Sequence, residues 1–190
     1  MSMLTPGFAD PVLEAQACFR AVLDAMSRPG RVRRAGAGMV PPAPLMPATA
    51  AVLLALADAA TPIAQDAGSD AQAWLRFHCG APIVPAAEAA FVLATGTPPA
   101  LSLLDAGTEE EPERGATLLV QVAALVEGAG WRLTGPGIER EHRLRVEGLP
   151  PGFVSDWAAN RALFPRGVDV ILCAGNRLAA LPRTVAIAEG

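Results

Sequence analysis

A glycine–asparagine turn between two apolar runs constrains the fold of this chain more than any other feature. Residues 168–173 form a nearly unbroken apolar run rich in β-branched side chains, and a second apolar run covers 177–181. Two extended runs joined by Gly175 and Asn176 are typical of a β-hairpin. Because the first run is apolar on both faces, we expect a central strand in a sheet covered by helices on both sides. Pro182 ends the second run, since proline cannot donate to a strand ladder.

The length of this turn decides where Arg183 points. With the two-residue turn, Arg183 lies opposite Val168, and Asp169 points to the other face of the sheet. With a three-residue turn that includes Ala174, Asp169 and Arg183 become diagonal neighbours on one face, and an ion pair of structural role is expected. An exposed, unpaired Arg183 would instead favour a binding role.

Four helices are predicted around this hairpin. The first is capped by Asp10-Pro11 and runs to about residue 26, and the second covers 49–59 and is apolar almost all round. The third runs from Ser69 or Asp70 to His78, and the fourth covers 151–163. The side chains expected to face the core are Val12, Ala15, Phe19, Val22, Leu23 and Met26 of the first helix, Trp74 and Phe77 of the third, and Phe153, Trp157 and Ala158 of the fourth.

About six strands are predicted with these helices. Arg31, Arg33 and Arg34 fit a short edge strand, whose basic face is more typical of a solvated surface than of an anion site. Residues 90–93 form a strand, 116–134 a second hairpin that turns at 128–130, and 138–147 a further short strand. The sum predicts an α/β fold, a three-layer α/β/α sandwich around a mixed sheet with hairpins. The length suits one domain over residues 1–190.

The composition excludes several classes of function. All fifteen basic residues are arginine, so no lysine in this chain can form a Schiff base with pyridoxal phosphate or a Walker-type phosphate contact. The net charge of −4 argues against a nucleic-acid partner. No apolar stretch is long enough for a membrane span, and we find no secretion signal. Three scattered cysteines predict a reduced, cytoplasmic protein.

Residues that commonly carry catalysis are scarce. The two histidines cannot form a histidine-rich metal site, and His78-Cys79 alone is a weak zinc signal. Adjacent helical side chains point apart, so His78 cannot activate Cys79 as a nucleophile. We therefore predict no catalytic residue, no metal and no cofactor. What remains is a set of arginines beside turns, a residue type that suits bidentate contacts to phosphate or carboxylate: Arg20, Arg28, Arg76, Arg166 and Arg183.

Eight short motifs are weak singly but specific in their joint order. They are Phe19-Arg20, residues 26–30 (MSRPG), Asp58 with Thr61-Pro62, residues 76–78 (RFH), 115–118 (GATL), 133–138 (LTGPGI), 164–169 (FPRGVD) and 181–184 (LPRT). In order and spacing they resemble the PhnH family, the H subunit of the bacterial carbon–phosphorus lyase system. The resemblance runs from about Phe8 to Val185. The chain departs from it in a proline-rich loop at 41–47 and an acidic loop at 109–113, which concerns surface detail only.

The resemblance implies a role in organic phosphonate degradation. In that system, subunits G, H and I with the ATPase-like subunit L are associated with replacing the adenine of ATP by an alkylphosphonate. The product is a ribose 1-phosphonate 5-triphosphate, whose carbon–phosphorus bond subunit J later cleaves. The resemblance also implies a homodimer, a core complex with subunits G, I and J, and a fold similar to pyridoxal-phosphate transferases without their cofactor site. The family offers no catalytic residue to carry over.

Two hypotheses for function follow. In the first, the chain is an accessory subunit that assembles the complex, with its apolar surfaces against partners. In the second, it contributes a binding pocket for a phosphate-bearing ligand, made of Arg20, His78, Arg166 or Arg183. A stand-alone, cofactor-free transferase is a further alternative, which would require turnover by the purified chain.

Overall fold

The computed structural model describes residues 5–190, which form four α-helices and two β-sheets. The helices are α1 (Pro11–Ser27), α2 (Pro47–Leu56), α3 (Gly68–Cys79) and α4 (Phe153–Arg161). The strands are β1 (Arg33–Arg34), β2 (Ile63–Gln65), β3 (Phe91–Ala94), β4 (Thr117–Gln121), β5 (Ala124–Thr134), β6 (His142–Glu147), β7 (Asp169–Ala174), β8 (Arg177–Leu181) and β9 (Ala186–Ala188). No helix among residues 5–190 is both long enough and apolar enough to cross a bilayer.

The larger sheet has six strands in the order β1-β8-β7-β4-β3-β2. Strands β2, β3, β4 and β7 run parallel to one another, whereas β8 is antiparallel to both β7 and β1. The predicted hairpin of β7 and β8 is confirmed, and it lies in the interior of the sheet. The predicted α/β class with a mixed sheet is therefore confirmed.

Each face of the larger sheet is covered by different elements. Leu119 and Ile171 point to one face and pack in a core with residues of α1, α2 and α3. Leu118 and Val170, one residue earlier on the same strands, point to the opposite face, as the two-residue period of a strand requires. That second face is covered by α4 together with a three-stranded sheet, β6-β5-β9, which the sequence analysis did not predict.

The predicted hairpin over residues 116–134 is wrong. Strand β4 pairs in parallel with β3 and β7, and β5 runs through the glycine stretch and pairs with β6 and β9. Gly128 and Gly130, with φ of 86° and 76°, accommodate a bulge in β5 between Glu127 and Trp131 instead of reversing the chain. Only glycine fits at position 130 beside strand β6, because a Cβ on Gly130 would lie 2.6 Å from the Arg145 Cα.

The four helices are confirmed, but the buried side of α1 differs from the prediction. Cys18, Val22 and Ala25 are buried. Of these three residues, only Val22 belongs to the predicted core side. Val12, Phe19 and Leu23 are instead 76%, 50% and 57% exposed. The helix carries apolar residues on two sides, and their spacing alone does not decide which side meets the sheet. For the same reason Phe77 and Ala158 are exposed, although Trp74, Phe153 and Trp157 are buried as predicted.

Candidate functional site

Arg183 and Asp169 form an ion pair at the amino end of β7. Ala174 pairs with Arg177, so the hairpin has the two-residue turn. The separation of Asp169 and Arg183 expected for that turn is nevertheless wrong. The Arg183 Nη2 donates to Asp169 Oδ2 at 2.7 Å, and the Arg183 Nε and backbone N–H donate to Oδ1 at 3.2 and 2.7 Å.

The reason is that the strand pleat stops before Arg183. Strand β8 ends at Leu181, and a turn closed by a hydrogen bond from the Val185 N–H to the Pro182 carbonyl (2.9 Å) follows it. The alternation of side chains no longer applies in that turn, so Arg183 returns over the start of β7. Only 12% of the Arg183 side chain and 18% of the Asp169 side chain are exposed.

Arg183 also holds the loop that precedes β4. Its Nη1 donates to the Pro112 carbonyl at 2.7 Å. Gly115 packs directly beneath, since a Cβ there would lie 2.4 Å from the Gly167 carbonyl oxygen and 2.9 Å from the Arg183 Nη1. Each of the three guanidinium nitrogens thus donates one hydrogen bond to a protein oxygen. Its ion pair matches the structural role that the sequence analysis considered first, although a ligand role for Arg183 stays a prediction.

His78 lies in the last turn of α3 and contacts the segment that precedes α1. Its Nε2 is 3.1 Å from the Thr5 carbonyl oxygen, to which the Trp74 Nε1 also donates at 2.7 Å. The Trp74 and His78 ring centroids are 4.6 Å apart. A Cβ on Gly7 would lie 3.0 Å from His78 Nδ1, so this segment crosses closely over the imidazole. His78 therefore ties the chain before α1 to α3.

The other two predicted ligand residues lie on separate elements. Arg20 is exposed on α1, and Arg166 is half-buried in the turn that leads to β7. Neither side chain donates a hydrogen bond or forms an ion pair with another residue of the described part. Arg166 lies near Arg183 through Gly167, whose added Cβ would be 3.5 Å from the Arg183 Cβ. Among the described residues, His78 and Arg183 share no contact partner. These contacts therefore do not join the four residues into one pocket.

The three cysteines are all free thiols held by burial in their neutral form. Burial raises the pKa of Cys18 and of Cys173 to about 12 in each case. Burial also raises the pKa of Cys79, whose sulfur donates to the Leu75 carbonyl at 3.0 Å. A thiol with a raised pKa is a poor nucleophile at neutral pH. Within residues 5–190, no three His, Cys, Asp or Glu side chains are grouped so as to hold a metal ion.

A basic cleft of about 170 Å³ lies between two turns that the sequence analysis treated separately. One is the turn after α1, which carries Arg28 and Arg31, and the other leads from β5 to β6 and carries Arg140. The turns fit against each other at Gly137, where a Cβ would lie 2.1 Å from the Ser27 carbonyl oxygen and φ is +80°. His142, at the start of β6, also lines the cleft, together with the carboxylates of Glu139 and Glu141. We call this the basic cleft.

The sequence contained a signal for the basic cleft. The motifs at 26–30 and 133–138 each combine glycine and proline, and arginines flank both, at Arg28, Arg31 and Arg140. Nothing local to either motif shows that they meet, because Ser27 and Gly137 are 110 positions apart in the chain. The contact depends on β5, whose course through the glycine stretch was mispredicted.

Comparison with known proteins gives consistent matches over nearly the whole chain. The family model described as "Bacterial phosphonate metabolism protein (PhnH)" matches residues 6–188. The chain is 41% identical over 183 residues to "Alpha-D-ribose 1-methylphosphonate 5-triphosphate synthase subunit PhnH" of Rhizobium meliloti (strain 1021), covering 93% of this chain and 92% of that protein. It is 38% identical over 176 residues to "Putative C-P lyase subunit protein HtxG" of Stutzerimonas stutzeri, covering 90% and 85%.

Proposed function

Because this chain belongs to the PhnH family of bacterial phosphonate metabolism proteins, we propose that it is an accessory subunit of the carbon–phosphorus lyase complex. In that role it supports formation of a ribose 1-alkylphosphonate 5-triphosphate from ATP and an alkylphosphonate. The Rhizobium meliloti relative is named as a subunit of such a synthase, and the Stutzerimonas stutzeri relative as a putative carbon–phosphorus lyase subunit. The chain requires its companion subunits for turnover.

The structural feature that carries this proposal is an exposed apolar stripe on α1, formed by Val12, Phe19 and Leu23. These residues recur at spacings of seven and four, so they line up on one side of the helix. Each is at least half exposed. Exposed apolar side chains aligned in this way are typical of a protein–protein interface. We assign the stripe to a companion subunit of the complex, with an apolar groove or helix as its counterpart.

Capture of companion subunits from cells that express the whole system tests this assignment. A tagged chain with Phe19→Ser and Leu23→Ser should retain at least about tenfold less of subunits G, I and J than the wild type, because two central apolar contacts are lost. Phe77→Ser is the matched control, since Phe77 is 68% exposed and lies on α3, a different helix from the stripe. Full capture by the double variant, with unchanged circular dichroism, would contradict the assignment.

Several finer features remain proposals that the family membership suggests. We propose a homodimer, contacts with subunits G, I and J, and a cytoplasmic location, which the three free thiols favour. We also propose that the fold is a three-layer α/β/α sandwich similar to pyridoxal-phosphate transferases without the cofactor site. The absence of lysine supports the last point, because no residue of this chain can form the aldimine.

A second candidate function is a phosphate-binding subunit that uses Arg20, His78, Arg166 or Arg183. The guanidinium groups of Arg20 and Arg166, which have no partner among residues 5–190, favour it over a purely structural role. Titration of the purified chain with ATP by calorimetry tests it, and Arg166→Gln is the informative variant because the Arg166 side chain makes no hydrogen bond or ion pair within the described part of the chain. Saturable binding that Arg166→Gln abolishes would support it. Turnover by the purified chain alone would favour a stand-alone transferase instead.

A further inference from the structure

The basic cleft brings arginines from two distant parts of the chain to one wall, beside His142. Arg28 and Arg31 follow α1, and Arg140 and His142 follow the turn after β5. The close fit of Gly137 on Ser27 fixes the two turns relative to each other. The arginines are therefore presented by a joined pair of turns and not by independent loops.

Two of these guanidinium groups are free to bind a ligand. The side chains of Arg31 and Arg140 have no hydrogen-bond or ion-pair partner among residues 5–190. Arg28 is already oriented, since its Nη1 donates to Asp24 Oδ1 at 2.5 Å. A guanidinium held in this way keeps donors available on its second amino group, and arginine suits the geometry of phosphoryl oxygens.

Most of the carboxylates near the cleft already contact other groups of the chain. Asp24 pairs with Arg28 and Arg33, and Glu141 lies 3.5 Å from the Arg143 Nε. Glu127 accepts the Val32 N–H at 2.7 Å and lies 3.4 Å from His142 Nε2. Only Glu139 lines the cleft without a partner in the described part of the chain. The unpaired charges are thus two arginines against one glutamate.

We propose that the basic cleft binds a single phosphoryl or phosphonyl oxyanion, with Arg31 and Arg140 as its principal ligands and Arg28 as a third donor. A volume of about 170 Å³ is below that of pockets for drug-sized ligands, so it suits one tetrahedral group and not a whole nucleotide. That the physiological ligand is a phosphonate or a phosphate ester of the pathway rests on the proposed function. The binding of an oxyanion as such rests on the charges described above.

Calorimetric titration of the purified full chain at low ionic strength tests the proposal. The probes are methylphosphonate, inorganic phosphate and tripolyphosphate, so that preference among them separates a phosphonate from a phosphate source. The wild type should bind at least one probe saturably. Arg31→Gln with Arg140→Gln should weaken that binding by about tenfold or more, because two charge-assisted contacts are lost. Arg114→Gln and Arg177→Gln, exposed arginines on other elements, should leave it unchanged.

The outcomes separate this inference from the proposed function. No saturable binding by the wild type, unchanged binding by the double variant, or equal losses in the control variants would each overturn the cleft assignment. Growth on methylphosphonate in a strain that lacks the native subunit is scored in parallel. A wild-type chain that supports growth but binds no probe overturns the cleft inference alone, whereas failure to support growth or to capture companions counts against the proposed function.

Discussion

Arg183 shows how a residue with the chemistry of a ligand can instead be part of the scaffold. Its guanidinium contacts Asp169 twice and the Pro112 carbonyl once, and 12% of the side chain is exposed. These contacts join the start of β7, the end of β8 and the loop before β4. A charge removed from water in this way is tolerated only because its partners are present. The ion pair is therefore needed for the fold around the hairpin.

We predict that Arg183→Met lowers the free energy of unfolding by about 3 kcal/mol, because it leaves the Asp169 carboxylate buried without its cation. Urea unfolding followed by circular dichroism measures the change. Arg114→Met is the control: the Arg114–Glu111 side chains are 66% and 52% exposed, so solvent screens the pair and its loss should change stability far less. Equal effects of the two substitutions would show that Arg183 has no special role in stability.

At the scale of elements, Asp24 joins the end of α1 to the edge strand β1. Its Oδ1 accepts from Arg28, just after the helix, and its Oδ2 accepts from the Arg33 Nε. The hydrogen bond from Arg33 lowers the pKa of Asp24 below its ordinary value of 3.8, and the positive charges of Arg33, Arg28 and Arg31 act in the same direction. Arg33 of β1 is thus engaged with α1, and the expectation of a solvated basic face does not hold for it, whereas Arg34 and Arg31 are exposed.

This shift predicts how the joint between α1 and β1 responds to acid. Because the folded-state pKa of Asp24 is lowered, its contribution to stability is present above about pH 4 and is lost as the pH falls through the lowered value. Asp24→Asn should therefore flatten the dependence of unfolding free energy on pH below about pH 4. Glu109→Gln, at an exposed residue without a partner in the described region, should leave the slope near that of the wild type. Parallel slopes for Asp24→Asn and the wild type would count against the assignment.

The elements themselves could be predicted from sequence to the extent that local chemistry defines them. Asp10-Pro11 marks the start of α1, Gly80 with φ of 68° ends α3, and Gly175-Asn176 forms the turn of the central hairpin. What could not be predicted is which side of an element meets the core. Helix α1 has two apolar sides, and only the packed structure shows that Cys18 and Val22 face inward while Phe19 and Leu23 face solvent.

At the scale of the whole molecule, pairing between distant segments is what sequence reasoning missed. The apolar run of β4 and the glycines of β5 suggested a hairpin, yet β4 pairs with β3 and β7, which are distant in the chain. The basic cleft is missed for the same reason, since it needs residues near 28 and near 140 to meet. Long-range contacts of this kind depend on the complete fold and leave no local mark.

We predict that the purified chain is a homodimer, as the PhnH family resemblance implies. Sedimentation equilibrium should give twice the 19.6 kDa mass of one chain. The Phe19→Ser and Leu23→Ser variant should keep that mass if the stripe on α1 contacts a companion subunit, as proposed. A variant that becomes monomeric would reassign the stripe to the second copy, and a monomeric wild type would refute the dimer itself.

The strand order has a consequence for how the chain folds as it is made. The interior strands β7 and β8 lie within residues 169–181, late in the chain, whereas the edge strand β1 is formed by residues 33–34. Among the strands described, β1 pairs only with β8. A nascent chain on the ribosome therefore carries β1 without its neighbour, and β4 with one open edge, until residues 169–181 have been synthesised. Prematurely terminated chains would expose these edges and become substrates for chaperones and proteases, because unpaired strand edges promote aggregation.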